Sequence, residues 1–254
     1  MNPALDRTHH RPAPSRRRLR ASLFVLLAAP LAPAADALDV SRQLALPAAI
    51  DDGVLAVGDR RLHLPLGHWV LTGRGEVETI GYARGGDTWG RGVSAWATLV
   101  ENGHLRAIVG LGLPLQDFRN VRPGAPGCAD NDATIERLNL SSQLSRPECL
   151  AVYGERSLQS ALEKRTPHTL KWLAKRHVAD PGALVRFVYK LRSESSYGSF
   201  ALVLPTGPFD SDDEARRWAL GLRESLRPFL EHRTAEASVP ALPGATSSGA
   251  TPAR

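Results

Sequence analysis

Between Ser94 and Leu113 the chain reads SAWATLVENGHLRAIVGLGL, and the dipeptide Asn102-Gly103 in it is the strongest short-range constraint on the fold. Asn-Gly tolerates the two positive φ angles of a type I′ turn, and a two-residue loop of that type joins antiparallel strands in a defined register. Alternation outward from the turn predicts Glu101 opposite His104, Val100 opposite Leu105, Thr98 opposite Ala107, Trp96 opposite Val109 and Ser94 opposite Leu111. One face then collects Trp96, Val100, Leu105, Val109 and Leu111 and needs a cover. The other face carries Leu99, Arg106 and Ile108 and is mixed in character.

Near the start of the chain, Ser15-Arg16-Arg17-Arg18-Leu19-Arg20 precedes an apolar run over 21–35 and then Ala35-Asp36-Ala37. Charged, apolar and small-residue regions in that order predict an export signal over 1–37, cleaved near Ala37, and a periplasmic mature protein. The arginine pair after a serine partly satisfies a twin-arginine signal, whereas Leu19 and Arg20 depart from it, so twin-arginine and general export both stay open. No cysteine stands at the cleavage point to carry a lipid, and no later run approaches the roughly 18 apolar residues of a membrane span.

The formal net charge is +6, but residues 1–37 hold six arginines against two aspartates, which leaves about +2 for the remainder. The basicity is therefore no argument for a nucleic-acid partner. Cys128 and Cys149, the two cysteines, lack the short spacing of a metal or redox motif. In an oxidising compartment an even pair predicts a disulfide, with a chain-entropy contribution of about 3 kcal/mol.

Along the rest of the chain, Pro47 and Asp51-Asp52-Gly53 break the apolar segment 38–58 into short extended pieces. Strands are expected over 68–72 and 75–82, followed by a mobile glycine-rich loop over 83–92. A long irregular connection over 116–131 is tethered by Cys128, and Leu150 to Tyr153 reads as a short strand. Helices are predicted over 157–165, 167–178 and 211–232, the last with Ser211 and Glu214 at capping-box spacing and Asp212 and Asp213 in its first turn. Pro228 should bend or break that helix early. Between the helices, 183–192 alternates with Val185, Phe187, Tyr189 and Leu191 on one face and Arg186, Val188, Lys190 and Arg192 on the other, returning as 199–204. From Thr234 the composition predicts a disordered tail, 234–254.

These elements predict an α+β domain over 38–233: a single antiparallel sheet of five or six strands with three helices on one face and one disulfide. The spacing of Leu-Pro-Leu-Gly-His-Trp at 64–69, Cys128, Cys149-Leu150, Trp172-Leu173 and a hairpin ending near Gly198 resembles a group of uncharacterised exported proteins of proteobacteria. Many of those carry two prolines before the glycine, where this chain has Pro65-Leu66. The resemblance covers roughly 60–230 and implies an exported, disulfide-bonded domain without a known activity.

Chemistry is sparse. Asp130-Asn131-Asp132-Ala133-Thr134 matches the D-x-D-x-T string of haloacid-dehalogenase-like phosphatases, but Gly124-Ala125-Pro126-Gly127 stands where that motif needs a buried strand. The same loop lacks the glycine and terminal glutamate of a calcium site. His63, His68, His104, His168, His177 and His232 form no zinc-type spacing, and 157–178 could be drawn as a helix-turn-helix, a motif without use in an exported protein. No catalytic residue, metal or cofactor is expected. The densest basic region spans 164–192, and Lys171, Lys175, Arg186, Lys190 and Arg192 are its candidate binding residues, the strand arginines being expected on an exposed face. The expected function is that of a non-catalytic periplasmic accessory or binding protein engaging anionic envelope components or another envelope protein. The alternative is an exported hydrolase with an unrecognised site.

Overall fold

The Asn102-Gly103 turn forms with φ of +51° and +77°, as a type I′ turn requires. It belongs to a computed structural model that describes residues 37–83, 86–115, 121–122, 136–141, 148–192, 197–207, 209 and 211–243, with backbone alone at 77–83, 86–90, 121–122, 136–141 and 192. Glu101 faces His104 and Val100 faces Leu105, as predicted. Beyond that point Arg106 is an extra residue: Leu99 pairs with Ala107, Thr98 with Ile108, Trp96 with Gly110 and Ser94 with Gly112. The predicted pairs Trp96–Val109 and Ser94–Leu111 are therefore displaced by one residue. A bulge transfers every later side chain to the opposite face. Val93, Ala95, Ala97, Leu99, Ala107, Val109, Leu111 and Leu113 now share one core, while Trp96, Val100, Leu105 and Ile108 belong to another.

In chain order the strands are β1 (Leu38–Asp39), β2 (Ala48–Ile50), β3 (Val54–Val57), β4 (Arg60–His63), β5 (Trp69–Ala83), β6 (Gly86–Glu101), β7 (His104–Pro114), β8 (Val121–Arg122), β9 (Glu136–Ser141) and β10 (Glu148–Glu155). Helices α1 (Leu158–Leu162) and α2 (Pro167–Lys175) follow, then β11 (Leu184–Arg192), β12 (Tyr197–Pro205), α3 (Asp212–Leu230) and β13 (Glu236–Ser238). The class is α+β with three helices, but there are two sheets, not one. A large antiparallel sheet runs β2-β5-β6-β7-β12-β11-β10-β9 with β8 beside β5, and a small mixed sheet runs β1-β3-β4-β13. The glycine-rich stretch expected as a loop over 83–92 instead extends the β5–β6 hairpin, which pairs from Trp69–Leu99 to Ala83–Gly86.

The helices lie on opposite faces of the large sheet, which corrects the expectation that all three share one. The stripe Ala215, Ala219, Leu222, Leu226, Phe229 and Leu230 of α3 packs with Val185, Phe187, Tyr189, Leu191, Phe200 and Leu202, the core that the small sheet also joins through Leu55, Val57 and Leu62. Across the sheet, Leu158, Ala161 and Leu162 of α1 and Leu173 of α2 pack on Leu105, Ile108, Leu184 and Val203. Sheet faces that are apolar on both sides carry no period-2 signal for which cover goes where. Ser211 Oγ accepts from the Glu214 amide at 3.2 Å, so α3 begins as predicted, and Pro228 is carried within its last turn. The stretch 236–243 is no disordered tail: β13 pairs in parallel with β4, and Val239 and Leu242 are buried.

Thr72 is a second bulge residue, extra on β5 between Leu71 and Gly73. Its hydroxyl meets Thr98 Oγ1 at 2.8 Å and Thr169 Oγ1 at 2.9 Å, and Thr169 meets Thr166 at 2.7 Å. These four buried threonines seat the start of α2 on the sheet, and the Thr166 hydroxyl at the helix cap bonds Thr169 rather than a backbone amide. Cys149 is 2% exposed and is not a free cysteine, whereas Cys128 lies outside the described residues. So do the tethered connection expected over 116–131 and the D-x-D-x-T string at 130–134.

Glu148, 3% exposed, joins the sheet to α3. Arg223 Nε donates to its Oε1 at 2.6 Å, Tyr189 Oη donates to the same oxygen at 2.8 Å, and Arg227 stands 3.7 Å from Oε2. Burial pushes the carboxyl up, but the hydrogen bonds from Arg223 and Tyr189 and the charges of Arg223 and Arg227 outweigh it and hold Glu148 below the ordinary carboxylate range. Burial, with the bond to that carboxylate, raises the Tyr189 hydroxyl. A carboxyl lowered on folding stabilises above its unfolded value, and the contribution is lost as pH falls through the folded value. Glu148→Gln is expected to lower stability by about 3 kcal/mol at neutral pH in urea unfolding. The gap from wild type should narrow below about pH 4; a gap unchanged in acid contradicts this role.

Candidate functional site: a trough on the open sheet face

On the face that carries α1 and α2, the register lays cross-strand rows over β6, β7, β12, β11 and β10. The row under the helices is Thr98–Ile108–Val203–Arg186–Tyr153. The next is Trp96–Gly110–Ala201–Val188–Ala151, and the third is Ser94–Gly112–Ser199–Lys190–Cys149. Glycine inside a strand marks a close approach. A Cβ on Gly110 would stand 2.7–2.9 Å from three Trp96 ring carbons, so the indole lies down on that glycine, and Ser199 leans over Gly112 in the same way. The small side chains of the second and third rows, beside the taller first row, leave a trough of about 240 Å³, with Trp96 at its β6 side and Tyr153 at its β10 side.

Arg186 is the buried cation of the trough, 5% exposed. Its Nε donates to Glu155 Oε1 at 2.8 Å, and its guanidinium carbon lies 3.9 Å from the Tyr153 ring centroid. Glu155 in turn accepts from Ser160 Oγ at 3.0 Å, which ties the pair to the capped start of α1. Glu155 fixes one edge of the guanidinium and Tyr153 fixes its plane. The two terminal nitrogens make no hydrogen bond to the described residues, and Arg186 lines the trough. Lys190 lines it from the third row, and Arg165 lines it from the helix side while donating to the Ala161 carbonyl at 3.2 Å.

Of the predicted binding residues, Arg186 and Lys190 meet in the trough. Arg186 is buried, contrary to the exposed face expected for it, because α1 and Glu155 cover that end of the strand. Lys171 and Lys175 are exposed on α2 and are not among the residues lining the trough. The Arg192 backbone pairs with Tyr197, and its side chain lies outside the description. Arg165 falls within the basic region expected over 164–192, whereas Trp96, Tyr153, Ser94 and Ser199 are not among the predicted binding residues; the alternate glycines Gly110 and Gly112 were the available signal. Asp212 and Asp213 stand exposed in the first turn of α3.

A larger cleft of about 660 Å³ lies between the β3–β4 turn and the end of α3, lined by Asp59, Arg60, His232 and Arg233 among others. There Arg60 donates to the Phe229 carbonyl, stacks on the Phe229 ring at 4.6 Å and meets His232 Nε2 at 2.8 Å. Its cation serves to fasten β4 to the helix end. Among the described residues no cluster of three or more His, Cys, Asp or Glu side chains is placed to hold a metal, and no helix is long and apolar enough to cross a membrane. Comparison with protein-family models, curated proteins and solved structures finds no match to this chain.

Because the trough floor depends on Gly110, Gly110→Ala is expected to force Trp96 off the strand and to lower stability by about 1–3 kcal/mol. A changed tryptophan emission in the folded variant checks the displacement; an unaltered spectrum and stability contradict the packing.

Proposed function

We propose that this chain is a non-catalytic, exported accessory or binding protein of the periplasm that engages anionic envelope components through the trough and its basic surroundings. The observation that carries the reading is the lining itself: Arg165, Arg186 and Lys190 converge on one trough beside two aromatic rings, and no carboxylate or histidine lines it among the described residues. Cations on low-dielectric walls concentrate anions, and aromatic rings add contact area at small conformational cost. Attraction of this kind is screened by salt. Co-sedimentation with isolated peptidoglycan and with anionic vesicles is expected at low ionic strength and should fall steeply at high salt, with neutral vesicles left in solution. Equal binding to every surface, or to none, rejects the reading.

A second reading, an exported hydrolase, has one observation in its favour. Ser199 and Lys190 are direct cross-strand partners on the trough floor, and a serine beside a lysine can be activated as a nucleophile. A fluorophosphonate probe that labels Ser199 would support it.

The proposal includes the Cys128–Cys149 disulfide, which would anchor the segment before β10 close to the third row of the trough. Mass spectrometry of protein drawn from the periplasm is expected to find both cysteines joined; two free thiols contradict it.

A further inference from the structure

We infer that the trough is a carboxylate-recognition site and that its ligand is a single acidic sugar unit, bound with its carboxylate on Arg186. The inference rests on the binding reading of this trough and adds the chemistry of what it takes.

Arg186 is built into the core in a way that a salt-bridging surface arginine is not. It is 5% exposed, its Nε is held by Glu155 at 2.8 Å, and its plane is held by Tyr153 at 3.9 Å. It lines the trough, and its two terminal nitrogens, unlike Nε, make no hydrogen bond to the described residues. A planar carboxylate fits the end of a guanidinium with two parallel N–H···O bonds. Glu155 already balances the Arg186 charge, so what Arg186 supplies is geometry.

The remainder of the floor describes the body of the ligand. Trp96, laid flat by Gly110, and the adjoining Ala201 give an apolar surface, whereas Ser94 and Ser199 one row away give hydroxyls. A pyranose ring has an apolar face and a rim of hydroxyls, which is this pattern in complement. The trough, about 240 Å³, has room for one such ring.

The test titrates the whole protein with glucuronate, glucose, benzoate and inorganic phosphate, by calorimetry and ligand-observed NMR. Glucuronate is expected to bind at least about tenfold more tightly than glucose or phosphate, since a hydrogen-bonded carboxylate–arginine pair is worth that much. Arg186→Lys keeps a cation beside Glu155 but removes the fork, and should lose that preference. Ala201→Leu fills the floor without touching the Arg186–Glu155 pair and should abolish binding, which keeps the test decisive if the arginine variant does not fold. Glucose binding as tightly as glucuronate, benzoate binding more tightly than glucuronate, or Ala201→Leu binding like wild type each overturns the inference. Peptidoglycan co-sedimentation intact with no response to glucuronate would defeat this inference alone; glucuronate bound with no sedimentation on any surface would defeat the envelope reading instead.

Discussion

The extra residue at Arg106 is the constraint on which the remainder of the sheet depends. Its own side chain stays outside, 3.4 Å from Glu101, so the insertion leaves a charged group in water while the strand continues inward. One residue later the assignment of faces has reversed. Val109, Leu111 and Leu113 are handed to the core shared by α3 and the small sheet, and Ile108, Gly110 and Gly112 to the face of α1 and α2. Without the bulge Trp96 would face Val109, and an indole could not lie down on the strand. The trough is thus a consequence of register, set near the hairpin turn and expressed several residues away.

The same face shows how a buried charge can be tolerated in a sheet. Arg186 has a carboxylate at its Nε and an aromatic ring beneath it, so burial is offset by a charge-assisted hydrogen bond and by cation–π attraction. Glu148 is the counterpart on the opposite side of β10 and β11, where two arginines and a tyrosine surround one carboxylate. Arg223 and Arg227 of α3 answer Glu148 directly, whereas Ser160 of α1 reaches the Arg186 pair through Glu155. Those two clusters orient α1 and α3, which apolar contacts alone would leave free to slide.

Much of the local structure was legible. The Asn102-Gly103 turn, the alternation of Val185, Phe187, Tyr189 and Leu191, and the start of α3 at Ser211 rest on short-range rules that tertiary context did not override. The second sheet was not legible, because β1 and β13 have only two or three residues each and β3 and β4 only four, too few to show a period. The distribution of helices over two faces was hidden for a different reason. Ala107 to Leu113 is apolar throughout, so alternation gives no hint of which half faces which cover, and a one-residue bulge decides it. Arg186 and Lys190 could be named from their strand, but the rings beside them come from β6 and β10, brought together by pairings between strands distant in the chain. The sequence could propose a basic surface; only the register turns part of it into a recess.

The parallel pairing of β13 with β4 joins Arg61 to Glu236, residues 175 apart in the chain. Closing so large a loop gives up chain entropy before any contact compensates for it, and topologies rich in such pairings are slow to form. Until β13 docks, the outer edge of β4 is an unpaired strand edge with free amide and carbonyl groups, open to the wrong partner. A chain in which β13 has yet to dock is therefore the more open to aggregation, and β13 acts as the latch on that edge.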